Sequence, residues 1–261
     1  LAAGDPEDED TPTELPEEFK RLLNAVYSED IATGDIDTPT ALLMADKFTE
    51  AVHKGLKEVG YDYDTPNDKL LDHLRNSAFQ FSAAKSWQIN KLLTGLLYDG
   101  NSRRSFSEFQ RAAFKELNLY VGNYGRVEYN SAVSSSQMAA KWMGFKENVH
   151  TNPYLQFKTS KAESVCPICA PYDDLIRPVN DPVWEHASPL LHFQCNCNLL
   201  ELPMSHADIT PDSDLPDPEM VPKMFRTNYA AKMQAFPPDH PYYTGVPKRT
   251  LRAWTKENLP A

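Results

Sequence analysis

The sequence predicts an α+β protein: a mostly helical domain, then a small β-sheet with a cysteine-rich knuckle, then an extended, proline-rich C-terminal arm. Three observations predict it. Apolar residues recur at helical spacing from about residue 16 to residue 145, and after Gly144 short alternating stretches replace that period. From Pro203 onward, ten prolines fall among 59 residues. The expected segments are therefore 1–15, a disordered acidic tail; 16–145, the helical domain; 146–203, the sheet with the knuckle; and 204–261, the arm.

Taken in order, the tail comes first. Asp5, Glu7, Asp8, Glu9, Asp10, Glu14, Glu17 and Glu18 all precede the first basic residue, Lys20, so eight acids account for most of the net charge of −11. With Pro6 and Pro12 and almost no large apolar side chain, residues 1–15 bury too little surface to offset their ordering entropy. The remaining chain carries only −3 and no Lys/Arg stripe interleaved with aromatics, which argues for weak or no direct nucleic-acid binding. No apolar run approaches the roughly 20 residues of a membrane span. Residues 1–18 are acidic where a secretory signal is basic, so no such signal is expected there and the chain is expected to be soluble.

Helices follow. Phe19, Leu22, Leu23, Val26 and Tyr27 form a stripe after Pro16, a residue suited to a helix start. Thr38-Pro39 opens a second helix, with Leu42, Leu43, Phe48, Val52 and Leu56 facing a core until Gly60. After the Asp64-Thr65-Pro66 turn, a third runs through Leu70, Leu74, Phe79, Phe81, Trp87, Ile89 and Leu93 to Leu97 and is too apolar for a surface helix. Asp99-Gly100-Asn101-Ser102 breaks it. Ser105 and Glu108 then make a capping box for a helix carrying Phe106, Phe109, Ala113, Phe114 and Leu117, and a last helix runs from about Tyr124 to Phe145. Three strands are expected beyond it, at Tyr154–Thr159, Leu175–Pro178 and Cys197–Leu202.

All four cysteines lie in this last region, as Cys166-Pro-Ile-Cys169 and Cys195-Asn-Cys197, with His192 three positions before the second pair. A C-x2-C turn lets two thiolates converge on one tetrahedral ion at Zn–S distances of about 2.3 Å. An extended Cys195–Cys197 would present both sulfurs to one face. A structural zinc held by Cys166, Cys169, Cys195 and Cys197 is the favoured reading, with His192 as substitute ligand or outer donor; reduced or disulfide-linked structural cysteines are the alternative. A thioredoxin-like redox role fits poorly, because Pro171 and Asp173-Asp174 suit a turn rather than a helix start. A nucleophile, base and orienter can be drawn from Cys169, His192 and Asp173, but any cysteine-rich segment supplies such a trio. No catalytic set is assigned.

Read together, Arg126-Val-Glu128, the small-residue run Ser131-Ala-Val-Ser-Ser-Ser136, the strand from Tyr154, CPIC at 166–169, NDPVW at 180–184 and Pro189-Leu-Leu-His192-Phe-Gln-Cys195-Asn-Cys197 resemble the Mu F-like minor head, or head-morphogenesis, proteins of tailed phages. The likeness covers about residues 78–202. It departs where the family usually has a Gly after the first cysteine pair, here Asp173-Asp174, and Pro-Asn and Arg around the last pair, here Phe193-Gln194 and Asn196. Asp and Asn tolerate left-handed turns, so the fold is expected to survive. Losing the Arg removes a charge-assisted donor and counts against a phosphate-gripping knuckle.

The resemblance implies a structural, non-enzymatic virion protein of few copies, acting in head assembly at the portal or inner head and in DNA delivery. Its implied partners are portal, capsid or scaffold proteins, and its implied places the virion and, during assembly, the host cytoplasm. The alternative is a particle-delivered toxin or hydrolase fused to a Mu F-like region. Arg126 and Glu128 are expected to form a structural salt link. The arm keeps Met220, Val221, Met224, Phe225, Tyr229, Phe236, Tyr242, Tyr243 and Trp254 and ends in a short helix through Leu251 and Trp254. Those apolar residues must either wrap over their own chain or dock on another subunit.

Overall fold

The structure is a computed structural model that describes residues 15–60, 68–160, 166–205 and 208–260. The acidic tail lies outside these residues except for Leu15, which is buried. The chain forms two compact units, each assembled from separated segments, and helices α2, α3 and α5 contribute to both.

The first unit takes residues up to 47, 79–129 and those from 242 onward. It holds α1 (Glu17–Tyr27), the beginning of α2 (Thr38–Glu58), the end of α3 (Asp68–Gly95), a hairpin of β1 (Tyr98–Asp99) and β2 (Ser102–Arg103), α4 (Phe106–Asn118), the start of α5 (Tyr124–Glu147) and α7 (Lys248–Asn258). Helix α1 begins where Pro16 offers its carbonyl to the N–H groups of Phe19 and Lys20, and Glu17 and Glu18 complement the helix dipole. Asp37, which the sequence reading passed over, caps α2: its Oδ1 accepts the Thr40 N–H at 3.1 Å and its carboxylate pairs with Arg21. The capping box at Ser105 forms, with the Ser105 N–H donating to Glu108 Oε2 at 2.9 Å. Ala41, Ala45, Phe79, Ala83, Ala84, Trp87, Val246, Leu251 and Trp254 make one core cluster.

Three expectations about this unit change. Phe114 is 40% exposed, because Phe109, Ala113 and Leu117 follow one another at i+4 while Phe114 is turned about 100° from Ala113. The helices expected at 106–117 and 124–145 are joined by a π-helical turn, Leu119–Asn123, with the Tyr124 N–H donating to the Leu119 carbonyl. Glu128 does not take Arg126 as its buried partner. Two residues apart on a helix, they diverge: Arg126 is exposed, while Glu128 is 3% exposed and paired with Lys85.

The second unit takes residues 48–78 and 130–241. Gly55 of α2 sits against α5 so closely that a Cβ there would lie 2.3 Å from the Val133 carbonyl oxygen. The small-residue run Ser131–Ser136 permits that approach. Strands β3 (Tyr154–Lys158), β4 (Ile176–Pro178) and β5 (Asn198–Leu202) form an antiparallel sheet in the order β4-β3-β5. Phe157 opposes Leu199 and Leu155 opposes Glu201, so the buried Leu155, Phe157 and Leu199 share one face. A short helix, α6 (Trp184–Ala187), follows the NDP turn, where Asp181 Oδ1 accepts the Val183 N–H at 2.9 Å and the Trp184 indole donates to the Pro178 carbonyl.

The arm is built from single 3-10 turns at Asp212–Asp214, Pro218–Met220, Lys223–Phe225 and Pro241–Tyr243, and ends in α7 as expected. Of the two destinations left open for its apolar residues, their own chain receives Val221, Phe225, Tyr229, Phe236 and Trp254, all buried, while Met220 stays 46% exposed. Within the second unit Phe236 packs on Phe48 at 5.1 Å, and Ser135 Oγ donates to the Ala235 carbonyl at 2.7 Å. Among the described residues no helix is long and apolar enough to cross a membrane.

Candidate metal centre

The first half of the knuckle is a turn, as the prolines and acids after it require. The N–H groups of Cys169 and Ala170 both donate to the Cys166 carbonyl, at 3.0 and 2.9 Å, and a 3-10 turn, Ala170–Tyr172, carries the chain away. Tyr172 is fully buried against Phe157, ring centroids 5.8 Å apart. Asp174, standing where the family usually has Gly, adopts φ 63°. Its N–H donates to the Phe157 carbonyl at 2.9 Å, its carboxylate accepts from Gln156 and pairs with Lys158, and Asp173 Oδ1 accepts the Thr159 N–H at 2.9 Å. These bonds lock the turn to β3.

The second half arrives through a bend at Gln194, also left-handed at φ 59°, with the Cys195 N–H donating to the His192 carbonyl. Cys197 then lies directly before β5, so the ladder between β3 and β5 fixes both halves against each other.

All five predicted ligands converge. The donor atoms of Cys166, Cys169 and His192 lie within 4.8 Å of one another, as do those of Cys169, Cys195 and Cys197, so Cys169 belongs to both groups. Cys169 Sγ lies 3.8 Å from Cys195 Sγ and 3.2 Å from His192 Nε2. Four sulfurs at about 2.3 Å from a tetrahedral zinc stand about 3.8 Å apart. The thiols are free, Cys169 and Cys195 buried and Cys166 and Cys197 half-buried. His192 lies at the thiols, closer than an outer donor need be. Its Nδ1 is 2.6 Å from the Phe193 carbonyl, which can only accept, so Nδ1 carries a proton and Nε2 is the nitrogen turned to the cluster.

Protons are unevenly held there. Bonds from Cys169 and Cys197 keep the Cys195 thiol far below its ordinary range, while the same contact with Cys195 drives Cys169 upward. His192 is raised to about 9, first by its bond to Cys195 and against the effect of burial. A soft thiolate ringed by proton donors is the arrangement from which a dication displaces protons, so the donor set fits a metal. The alternative trio is not what the hydrogen bonds build, since His192 turns Nδ1 to Phe193 while Asp173 accepts from the Thr159 backbone.

Beside the knuckle, a half-open pocket of about 470 Å³ is lined by Lys54, Glu58, Asn130, Ser134, Gln137, Gln194 and Cys195, among others. Sequence reasoning had no signal for it, because α2, α5 and the knuckle meet there only in the fold.

Residues 89–200 match the model of the family described as Phage Mu protein F like protein, and this stretch runs from within α3 into β5 and takes in all five candidate ligands. The resemblance seen in the sequence therefore stands, over slightly narrower limits than 78–202. No curated protein and no solved structure gives a significant match.

Proposed function

We propose that the chain is a minor head protein of a tailed phage, a non-enzymatic component of few copies that acts in head assembly at the portal or inner head and in DNA delivery. The observation that carries this reading is the extent of the Mu F-like match, which takes in both cysteine pairs and most of the β3–β5 ladder that brings them together. Its partners in this reading are portal, capsid or scaffold proteins, and its place is the virion, after assembly in the host cytoplasm. The near-neutral charge of the chain after Lys20 supports contacts with protein rather than directly with DNA.

In this reading the knuckle is a structural cross-link. Cys166, Cys169, Cys195 and Cys197 would hold a zinc ion, with His192 able to take a position in place of one thiolate. The ion would supply a tie between the turn after β3 and the start of β5 that this small sheet cannot obtain from its apolar face alone. Asp173 and Asp174 keep the first ligand pair in register with β3, and the Phe193 carbonyl fixes the His192 tautomer.

Purified particles test the proposal. The protein is expected in wild-type heads at a small fraction of the major capsid protein, and heads made with a Cys169→Ser chain should contain less of it or assemble abnormally. Normal, infectious particles that lack the protein altogether would refute the reading.

A further inference from the structure

The C-terminal segment of the first unit closes over a polar cluster with no part in the metal centre. Lys85 on α3 and Glu128 on α5 are 1% and 3% exposed and form an ion pair. Lys85 Nζ also donates at 2.7 Å to the carbonyl of Tyr120, inside the π turn. Tyr242, itself half-buried, packs against both. Its hydroxyl donates to Glu128 Oε1 at 2.8 Å, its ring stacks on Tyr120 at 5.9 Å, and Lys85 Nζ lies 5.7 Å from the ring centroid. Gln88 Nε2 grips the backbone there, donating to the carbonyls of Tyr242 and Thr244 at 2.9 and 2.8 Å.

The energetics of lifting this segment are unusual. Burial pushes Lys85 down and Glu128 up, each toward its neutral form, and the contact of each with the other opposes that shift. Water reaching the pair would restore hydration that burial removed, offsetting part of the apolar area lost on opening. The rest of the segment is anchored chiefly by Val246, Leu251 and Trp254, which join the apolar cluster around Trp87, and by the Trp254 indole, which donates to Thr38 Oγ1 at 3.0 Å. The α3 stripe beneath has no such offset, since Phe79, Phe81 and Ala83 are fully buried and apolar.

We infer that residues 242–258 form a clasp that opens without unfolding the unit, with the Tyr242–Glu128 hydrogen bond as its latch. Opening uncovers Phe79, which packs on Trp254, and Phe81, which packs on Tyr242 and Tyr243, so an apolar face stays covered until the clasp lifts. This holds whether or not the chain works in a phage head.

Amine labelling of the full chain under native conditions, read by mass spectrometry alongside hydrogen exchange, tests it. Lys85 is expected to label faster than the global unfolding rate set by the slowest α3 amides, and the α7 amides should exchange with a smaller denaturant slope than those of α3. Tyr242→Phe should raise Lys85 labelling and α7 exchange together by roughly tenfold, leaving the α3 amides and the exposed Lys248 and Lys256 unchanged. Lys85 labelling only at the global rate, or one slope shared by α7 and α3, overturns the inference. The wild-type measurements decide it even where Tyr242→Phe folds poorly.

Discussion

The cysteine centre and the Lys85–Glu128–Tyr242 cluster are both polar groups taken into the interior, and they differ in how they are written into the chain. The cysteine centre draws its ligands from two short stretches, Cys166–Cys169 and His192–Cys197, each almost fixed by local turns. The Lys85–Glu128–Tyr242 cluster joins single residues separated by 43 and 114 positions, and only the packed helices bring them together. Ligand spacing is a local property that a sequence displays. An ion pair inside a helical core is a tertiary one, and the sequence shows only half of it: a lysine in the apolar run Phe81-Ser-Ala-Ala-Lys-Ser-Trp87, which must have a partner somewhere.

Chelating the proposed ion should break the comparison most strongly, because a structural ion contributes on the order of 10 kcal/mol to a small domain's folding. Exhaustive chelation is expected to remove hydrogen-exchange protection from β3, β4 and β5 by at least about a hundredfold while α4 keeps its own. Cys169→Ser should act more severely than Cys166→Ser, since Cys169 alone belongs to both ligand groups. Protection that survives chelation would make the cluster a packed set of thiols and reduce the contrast with the ion pair to one of spacing.

The ion pair should show an asymmetry the metal centre cannot. Glu128→Leu or Lys85→Met strands one buried charge and should cost about 3 kcal/mol in urea unfolding, whereas the two combined should cost clearly less than the two singles added. Arg126→Ala, at an exposed position, should stay within about 0.5 kcal/mol. Additive losses would mean that each side chain acts through its packing and not through the pair.

Much of the architecture was legible for the same reason as the cysteines. Helix limits near Pro16, Thr38 and Gly60, the Ser105 capping box and the three strands rest on punctuation that acts over three or four residues, and the structure places each within a residue or two. The π turn at Leu119–Asn123 was not legible, because one extra residue in a helical run leaves no compositional mark. Phe114 was misplaced because an apolar residue at the margin of a stripe reads like one inside it. Nor could the sequence say that the arm folds onto its own chain, since side-chain size does not name a partner. At the centre it named five residues that the fold brings together, but it had no account of the Phe193 carbonyl that orients the His192 ring.

Glycines offer a smaller test on the helical side. Gly55→Ala places a Cβ 2.3 Å from the Val133 carbonyl, backbone that cannot swing away, and should cost about 2 to 3 kcal/mol. Gly60→Ala meets nothing within 4 Å, but its φ of 71° should still cost about 1 kcal/mol. Equal effects would mean that the small-residue run on α5 sets no close approach.

The smallest expected effect returns to the knuckle and asks whether its second turn stores strain. Asp174 and Gln194 both adopt left-handed backbone, at φ 63° and 59°, but under different conditions. Asp174 is compensated by Gln156 and Lys158, so Asp174→Gly would relieve the backbone and lose both contacts, and should be nearly neutral. Gln194 carries a long side chain where the family usually has Asn, in a conformation costing roughly 1 kcal/mol or more for such a residue. Gln194→Asn should therefore stabilise the metal-loaded protein by about 0.5 kcal/mol, and Gln194→Gly by a similar amount once its greater freedom in the unfolded chain is counted. Urea midpoints for the two variants should rise together. A fall in both would show that the Gln194 side chain, which lines the pocket beside Cys195, stabilises the turn by more than its backbone costs.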